Sequence, residues 1–178
     1  MKSYQNWAKK EHSLKQRSIL LFFAGILFVL LLPYLLTRWS ANLDNALQLP
    51  TFSYGAANII PGLLLVIGGF ALALWSIYVQ ITLGRGTPVP VMPTQTLIIK
   101  PPFSYCRNPM TLGTLIGYGG IGVMLGSWSA LGFVLLFGLL LLFYLKLVEE
   151  KELVARFGES YLEYKRTTPF IIPRLTRR

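Results

Sequence analysis

Apolar runs separated by short polar stretches organise this chain from Ile19 onward. Four runs stand out: Ile19–Leu36, Gly62–Leu83, Met110–Leu125 and Ala130–Val148. At about 1.5 Å of rise per residue, about 20 residues cross a hydrocarbon core about 30 Å thick, so the first, second and fourth are predicted spans. The third run is short. It ends in Gly126-Ser127-Trp128-Ser129, a turn-forming cluster with an interfacial aromatic, so runs three and four are predicted to form an antiparallel helical hairpin. The short third helix must cross by thinning the bilayer locally or by sheltering behind its neighbours.

The polar stretches carry their own signals. Residues 1–17 read as a basic arm lying on the surface as a helix, and 37–58 as a loop on the outer side, with Trp39, Phe52 and Tyr54 at headgroup level. Five prolines between Gly84 and Asn108 exclude a continuous helix there. After Val148 the pattern predicts helix to about Phe157, a break at Gly158, helix again through Lys165, and a stop at Pro169 and Pro173. Gly113 and Gly117, and likewise Gly122 and Gly126, are four apart, a spacing that lets another helix approach closely. Such faces serve a dimer as well as an internal bundle, so the oligomeric state stays open.

Composition changes the picture in three ways. Of 178 residues, 53% are hydrophobic, which places the chain in the membrane class. The first run follows a basic flank, but it is longer than a signal peptide's apolar core. The following Pro33-Tyr34-Leu35-Leu36-Thr37-Arg38 offers no small-x-small cleavage pattern, so it is expected to be a retained span. The net charge of +10 is distributed by topology: with four spans, Arg38 alone falls on one side and the other sixteen Lys and Arg on the opposite side. The positive-inside rule then puts both termini in the cytoplasm and leaves no reason to invoke nucleic acid. Cys106 is the one cysteine and His12, in the polar arm, the one histidine, so neither a disulfide nor a metal site is expected.

Chemistry concentrates at one end of the predicted hairpin. Asn108 before Pro109 is a strong start signal for the third helix, whose free N–H groups, with Arg107 beside them, favour an anion. Antiparallel packing returns Glu149 and Glu150 to the same level. Two acids at a helix C-terminus oppose the macrodipole, and adjacent positions point about 100° apart. One of the two is therefore expected to face a pocket while the other meets Lys146 or Lys151. An anion site beside a cation site, roofed by Tyr161, Tyr164 and Phe170, suits a zwitterion with an aromatic body.

The ordered stretch from Gln95 to Gly113 (QTL…FSYCRNPMTLG), the Glu149-Glu150 pair, and F-G-x-x-Y-x-x-Y-x-x-x-x-P-x-x-x-P from Phe157 to Pro173 together resemble the integral-membrane methyltransferases. These are the isoprenylcysteine carboxyl methyltransferase and phospholipid methyltransferase group. The resemblance implies an all-α polytopic membrane protein of about four transmembrane helices, with a C-terminal helical hairpin and a cytoplasmic cofactor-binding tail. It divides the chain into a basic arm with two spans, 1–94, and a methyltransferase-like core, 95–178.

S-adenosylmethionine is the implied cofactor and a lipophilic or prenylated molecule the implied substrate, with membrane lipids as partners and the active site cytoplasmic. Gln95, Thr96, Leu97, Ile98, Phe103, Asn108, Pro109, Met110 and Thr111 would line the cofactor, and Glu149 would hold its amino end. Glu150 and Tyr164 are the candidate proton acceptors, with Arg107 as the interfacial cation. Asn108 replaces the family's usual His and cannot titrate near neutrality, and Thr111 replaces its usual Tyr. Leu145 stands where the prenylcysteine enzymes carry a carboxylate-steering arginine, which weakens a carboxylate acceptor and leaves amines and hydroxyls open. The alternatives are a non-catalytic lipid- or partner-binding protein of the same fold and an NADPH-dependent membrane reductase.

Overall fold

The computed structural model describes residues 13–174 as an all-α protein. Lys2, Lys9, Lys10 and His12 of the predicted surface arm lie outside the described residues, as do Arg177 and Arg178. Five helices are present among the described residues: α1 Leu14–Ala46, α2 Ala56–Thr82, α3 Pro109–Leu125, α4 Trp128–Phe157 and α5 Glu159–Thr167. α1, α2 and α4 are long and apolar enough to cross a membrane, and α3 is a shorter apolar helix. The chain is thus a multi-pass membrane protein.

α1 starts at a reciprocal cap, in which Ser13 accepts the Gln16 amide and Gln16 accepts the Ser13 amide. It widens into a π-helical segment at Ile26–Leu31, just before Pro33, whose missing N–H and ring bulk disturb a regular ladder. α1 then runs to Ala46, ten residues beyond the predicted span, so the expected loop shortens. The polar composition of 37–46 hides a helical face. Ser40 and Asp44, one turn apart, are both buried, and the Asp44 carboxylate accepts the Ser127 hydroxyl at 2.5 Å and the Ser129 amide at 3.0 Å. Asp44 therefore caps the N-terminus of α4 from a neighbouring helix and satisfies donors that the chain's own turn leaves open.

α3 is the central helix. It packs most closely on α2 and also meets α1 and α4, so the shorter helix is sheltered by its neighbours, as one of the two sequence expectations held. Its glycines decide how. A Cβ on Gly69 of α2 would stand 2.6 Å from the Gly113 carbonyl oxygen, and one on Gly120 would stand 2.6 Å from the Gly62 carbonyl oxygen. No side chain fits between these backbones. The sequence pairing of Gly122 with Gly126 does not survive: Gly122 faces Leu131, while Gly126 ends α3 in the left-handed region at φ 61° and turns the chain into α4. Tyr118, on α3, packs against Phe70 of α2 and Phe137 of α4 and donates its hydroxyl to the Phe28 carbonyl in the π-helical segment of α1 at 2.6 Å.

Gly69→Ala is expected to lower the thermal unfolding midpoint in detergent, at a cost of about 1–3 kcal/mol for overpacking. Gly68→Ala, where an added Cβ meets nothing within 4 Å, is expected to leave the midpoint unchanged. Equal effects of the two substitutions would refute close packing of α2 on α3.

Candidate functional site

α4 is 30 residues long, about 45 Å, and so outruns a hydrocarbon core of about 30 Å. Its apolar stretch ends at Val148, and Glu149 onward projects past it. At this point the helix widens into a π-turn over Leu145–Glu149, which re-aims the residues around it. The two adjacent glutamates separate here, as the 100° argument required.

Glu150 is buried in an ion-pair cluster. One carboxylate oxygen pairs with Arg107 Nη1, and the other with Lys165 at 2.7 Å and Lys146 at 3.5 Å. Arg107 and Glu150 retain 7% and 6% side-chain exposure, so this pair is held out of water. Arg107 also donates to the Tyr161 hydroxyl at 3.3 Å, and the Phe170 ring lies against both Arg107 and Lys146. Burial raises the Glu150 carboxyl, but Lys165, Arg107 and Lys146 outweigh it and leave it below its ordinary value.

The segment after α5 is strapped over the start of α3. Pro169 accepts the Arg107 amide at 2.9 Å, Phe170 accepts the Asn108 side-chain amide at 3.0 Å, and Tyr105 accepts the Arg174 amide at 3.0 Å. Two sequence expectations are corrected here. Asn108 occupies the N-cap position, with Pro109 as the first helical residue, but its side chain holds the tail and makes no cap bond. Arg107, expected to wait for an anion, is committed to Glu150. Of the two groups expected to accept a proton, Glu150 has both oxygens in ion pairs. Tyr164 donates its hydroxyl to the Phe103 carbonyl at 2.6 Å, and burial pushes its phenol upward.

Glu149 faces the other way. It lines an open cleft between the end of α4 and the proline-rich loop. Burial, then Glu152, pushes its carboxyl up to about 7 against the opposing pull of Arg156. Gln80 of α2, Pro93, Thr94 and Tyr144 are among the other walls. Sequence reading missed Gln80, Tyr144, Glu152 and Arg156; the i, i+3 spacing of Glu149 with Glu152 was the available signal.

Gln95 to Ile98 follow Thr94 at the cleft edge and are pinned to the end of α2. Gly84 accepts the amides of Gln95 and Thr96, and the Thr96 hydroxyl donates to Leu83 at 2.6 Å. Leu97 is half-buried, and Ile98 packs with Val79 and Phe103 in a small apolar core. Pro109 and Thr111 are buried and Met110 half-buried at the start of α3, none of them among the cleft walls. Gly113 offers no room for a ligand, because α2 fills the space beside it.

An all-α membrane bundle with its polar chemistry gathered at one end is the class these features define. Residues 57–160 match the model of the phospholipid methyltransferase family, and the chain belongs to that family, whose members use S-adenosylmethionine. It is also 34% identical over 86 residues to the cobalt-zinc-cadmium resistance protein CzcN of Cupriavidus metallidurans, a match covering 46% of this chain and 37% of that protein. The matched region therefore spans little more than a third of that relative. No solved structure matches the chain.

The adjacent glutamates are expected to respond oppositely to substitution. Glu150→Ala leaves Arg107 buried without its partner and is expected to cost about 3–5 kcal/mol, read from the unfolding midpoint in detergent. Glu149→Gln is expected to raise the midpoint above about pH 7, where the folded state otherwise carries a disfavoured charge. Below about pH 4.5, where both folded and unfolded states are protonated, the difference is expected to vanish. A uniform loss for both variants at every pH would contradict their division between cluster and cleft.

Proposed function

We propose that this protein transfers a methyl group from S-adenosylmethionine to a lipophilic acceptor at the cytoplasmic face of a membrane. The acceptor is a lipid amine or hydroxyl, or an isoprenylcysteine-type carboxylate. The carrying observation is Glu149, the glutamate of the adjacent pair that is left facing an open cleft while Glu150 is neutralised by its neighbours. A carboxylate in a partly dry cleft suits the ammonium end of an amino acid–nucleoside, so the donor set fits the family's cofactor.

In this reading Glu149 holds the amino end and Gln95, Thr96, Leu97 and Ile98 form the rim. Phe103, Asn108, Pro109, Met110 and Thr111, which the family resemblance also sets against the cofactor, stand outside this cleft, at and just before the start of α3. Bound there, the cofactor supplies an electrophilic methyl on a sulfonium. The protein's part is alignment and exclusion of water, since in-line displacement needs little covalent assistance. A carboxylate acceptor needs no base, and an amine need only arrive deprotonated. Arg107, Glu150 and Tyr164 act as positioning groups, fixing α5 and the tail against the start of α3. Sixteen of the 17 cations on one side under a four-span topology support a cytoplasmic cleft and cytoplasmic termini.

Purified protein given labelled S-adenosylmethionine and membrane lipid is expected to move the label into the lipid extract; an unlabelled extract with every acceptor class would sink the proposal. S-adenosylhomocysteine binding, followed by calorimetry, is expected to be lost in Glu149→Gln. In the unsubstituted protein it is expected to weaken by up to about tenfold per pH unit below about pH 7, because the ammonium needs an ionised partner. A flat pH profile would remove Glu149 from this role.

A further inference from the structure

Gln80 lies near the end of α2, outside the motifs that carry the family resemblance, and it lines the same cleft as Glu149. Its side-chain oxygen Oε1 is fully buried and has no hydrogen-bond partner. Buried amide oxygens are almost always paired, and a turn of the Gln80 side chain toward the cleft that the residue lines would offer this lone acceptor to a donor on the ligand. The surroundings narrow the choice. Pro88, Pro90 and Pro93 supply apolar walls, Tyr144 supplies an aromatic ring, and Glu149 provides a place for a cation. A flat heterocycle with an N–H edge suits the first set of groups, and an ammonium suits Glu149.

We propose that Gln80 is a specificity residue for the nucleoside end of the cofactor, accepting a hydrogen bond from the exocyclic 6-amino group of its purine. The assignment rests on the methyltransferase reading above and extends it to α2. It also gives the ligand a mechanical role. α2 and α4 pack on α3 but share no substantial contact with each other, while Gln80 and Glu149 stand on these two helices. A ligand held by both residues ties the two helices together across the cleft.

The test compares S-adenosylhomocysteine with its 6-oxo analogue, S-inosylhomocysteine, by calorimetry on the purified full chain, Gln80→Leu and Gln80→Glu. The 6-oxo compound presents an acceptor where the adenine presents a donor. The unsubstituted protein is expected to favour the adenosyl compound by at least about tenfold, the scale of one net hydrogen bond. Gln80→Leu is expected to bind the adenosyl compound about tenfold more weakly and to lose the preference. Gln80→Glu, which keeps an acceptor oxygen, is expected to retain it.

Removing a lone buried acceptor is expected not to lower the ligand-free unfolding midpoint of Gln80→Leu, and this separates lost recognition from misfolding. If Gln80→Leu keeps full affinity and preference, or weakens both compounds equally, Gln80 does not read the base. If the unsubstituted protein binds neither compound, the methyltransferase reading itself falls and takes this assignment with it.

Discussion

The Arg107–Glu150 ion pair holds the polar end of the molecule together. It joins the loop before α3 to the end of α4, and through Lys165 and Tyr161 it draws α5 into the same cluster. Two charges buried to this degree carry a large desolvation penalty, which their mutual attraction offsets only when the geometry is good and further hydrogen bonds are made. Those conditions fix positions. The tail can lie over the start of α3 because its carbonyls are pinned at Arg107 and Asn108, and Phe170 lies against the two cations.

With Glu150 so held, the direction of Glu149 follows from the helix. The π-turn ends where the acidic pair begins, so one carboxylate enters the cluster and its neighbour opens onto the cleft. The same residue type therefore plays opposite electrostatic parts at adjacent positions: three cations hold Glu150 ionised, whereas burial and Glu152 make ionisation of Glu149 costly. A cleft carboxylate poised in this way gains the most from an arriving ammonium, since binding relieves the charge that folding left uncompensated.

Beneath this polar end, the bundle depends on backbone proximity. α3 is short enough to be outmatched by the bilayer, yet the glycines at its interface with α2 let it sit in the middle of its neighbours. That arrangement leaves α2 and α4 on separate sides of α3. The loop between α2 and α3, fastened by Gly84 and Thr96, then closes one side of the cleft.

Much of this was legible in the chain. Apolar run lengths marked the helices, Asn108-Pro109 and Gly158 marked a start and a break, and the 100° step between Glu149 and Glu150 required them to part company. These are local properties, set by helical period, proline chemistry and transfer of apolar groups from water. The sequence could not reveal that Asp44 caps α4, that Asn108 spends its amide on Phe170, that Arg107 is already paired, or that Gln80 stands in the cleft. Each of these joins residues more than 40 positions apart or on helices that do not pack together. Which buried polar group meets which partner is decided by how the helices cross, and only the tertiary structure holds that information.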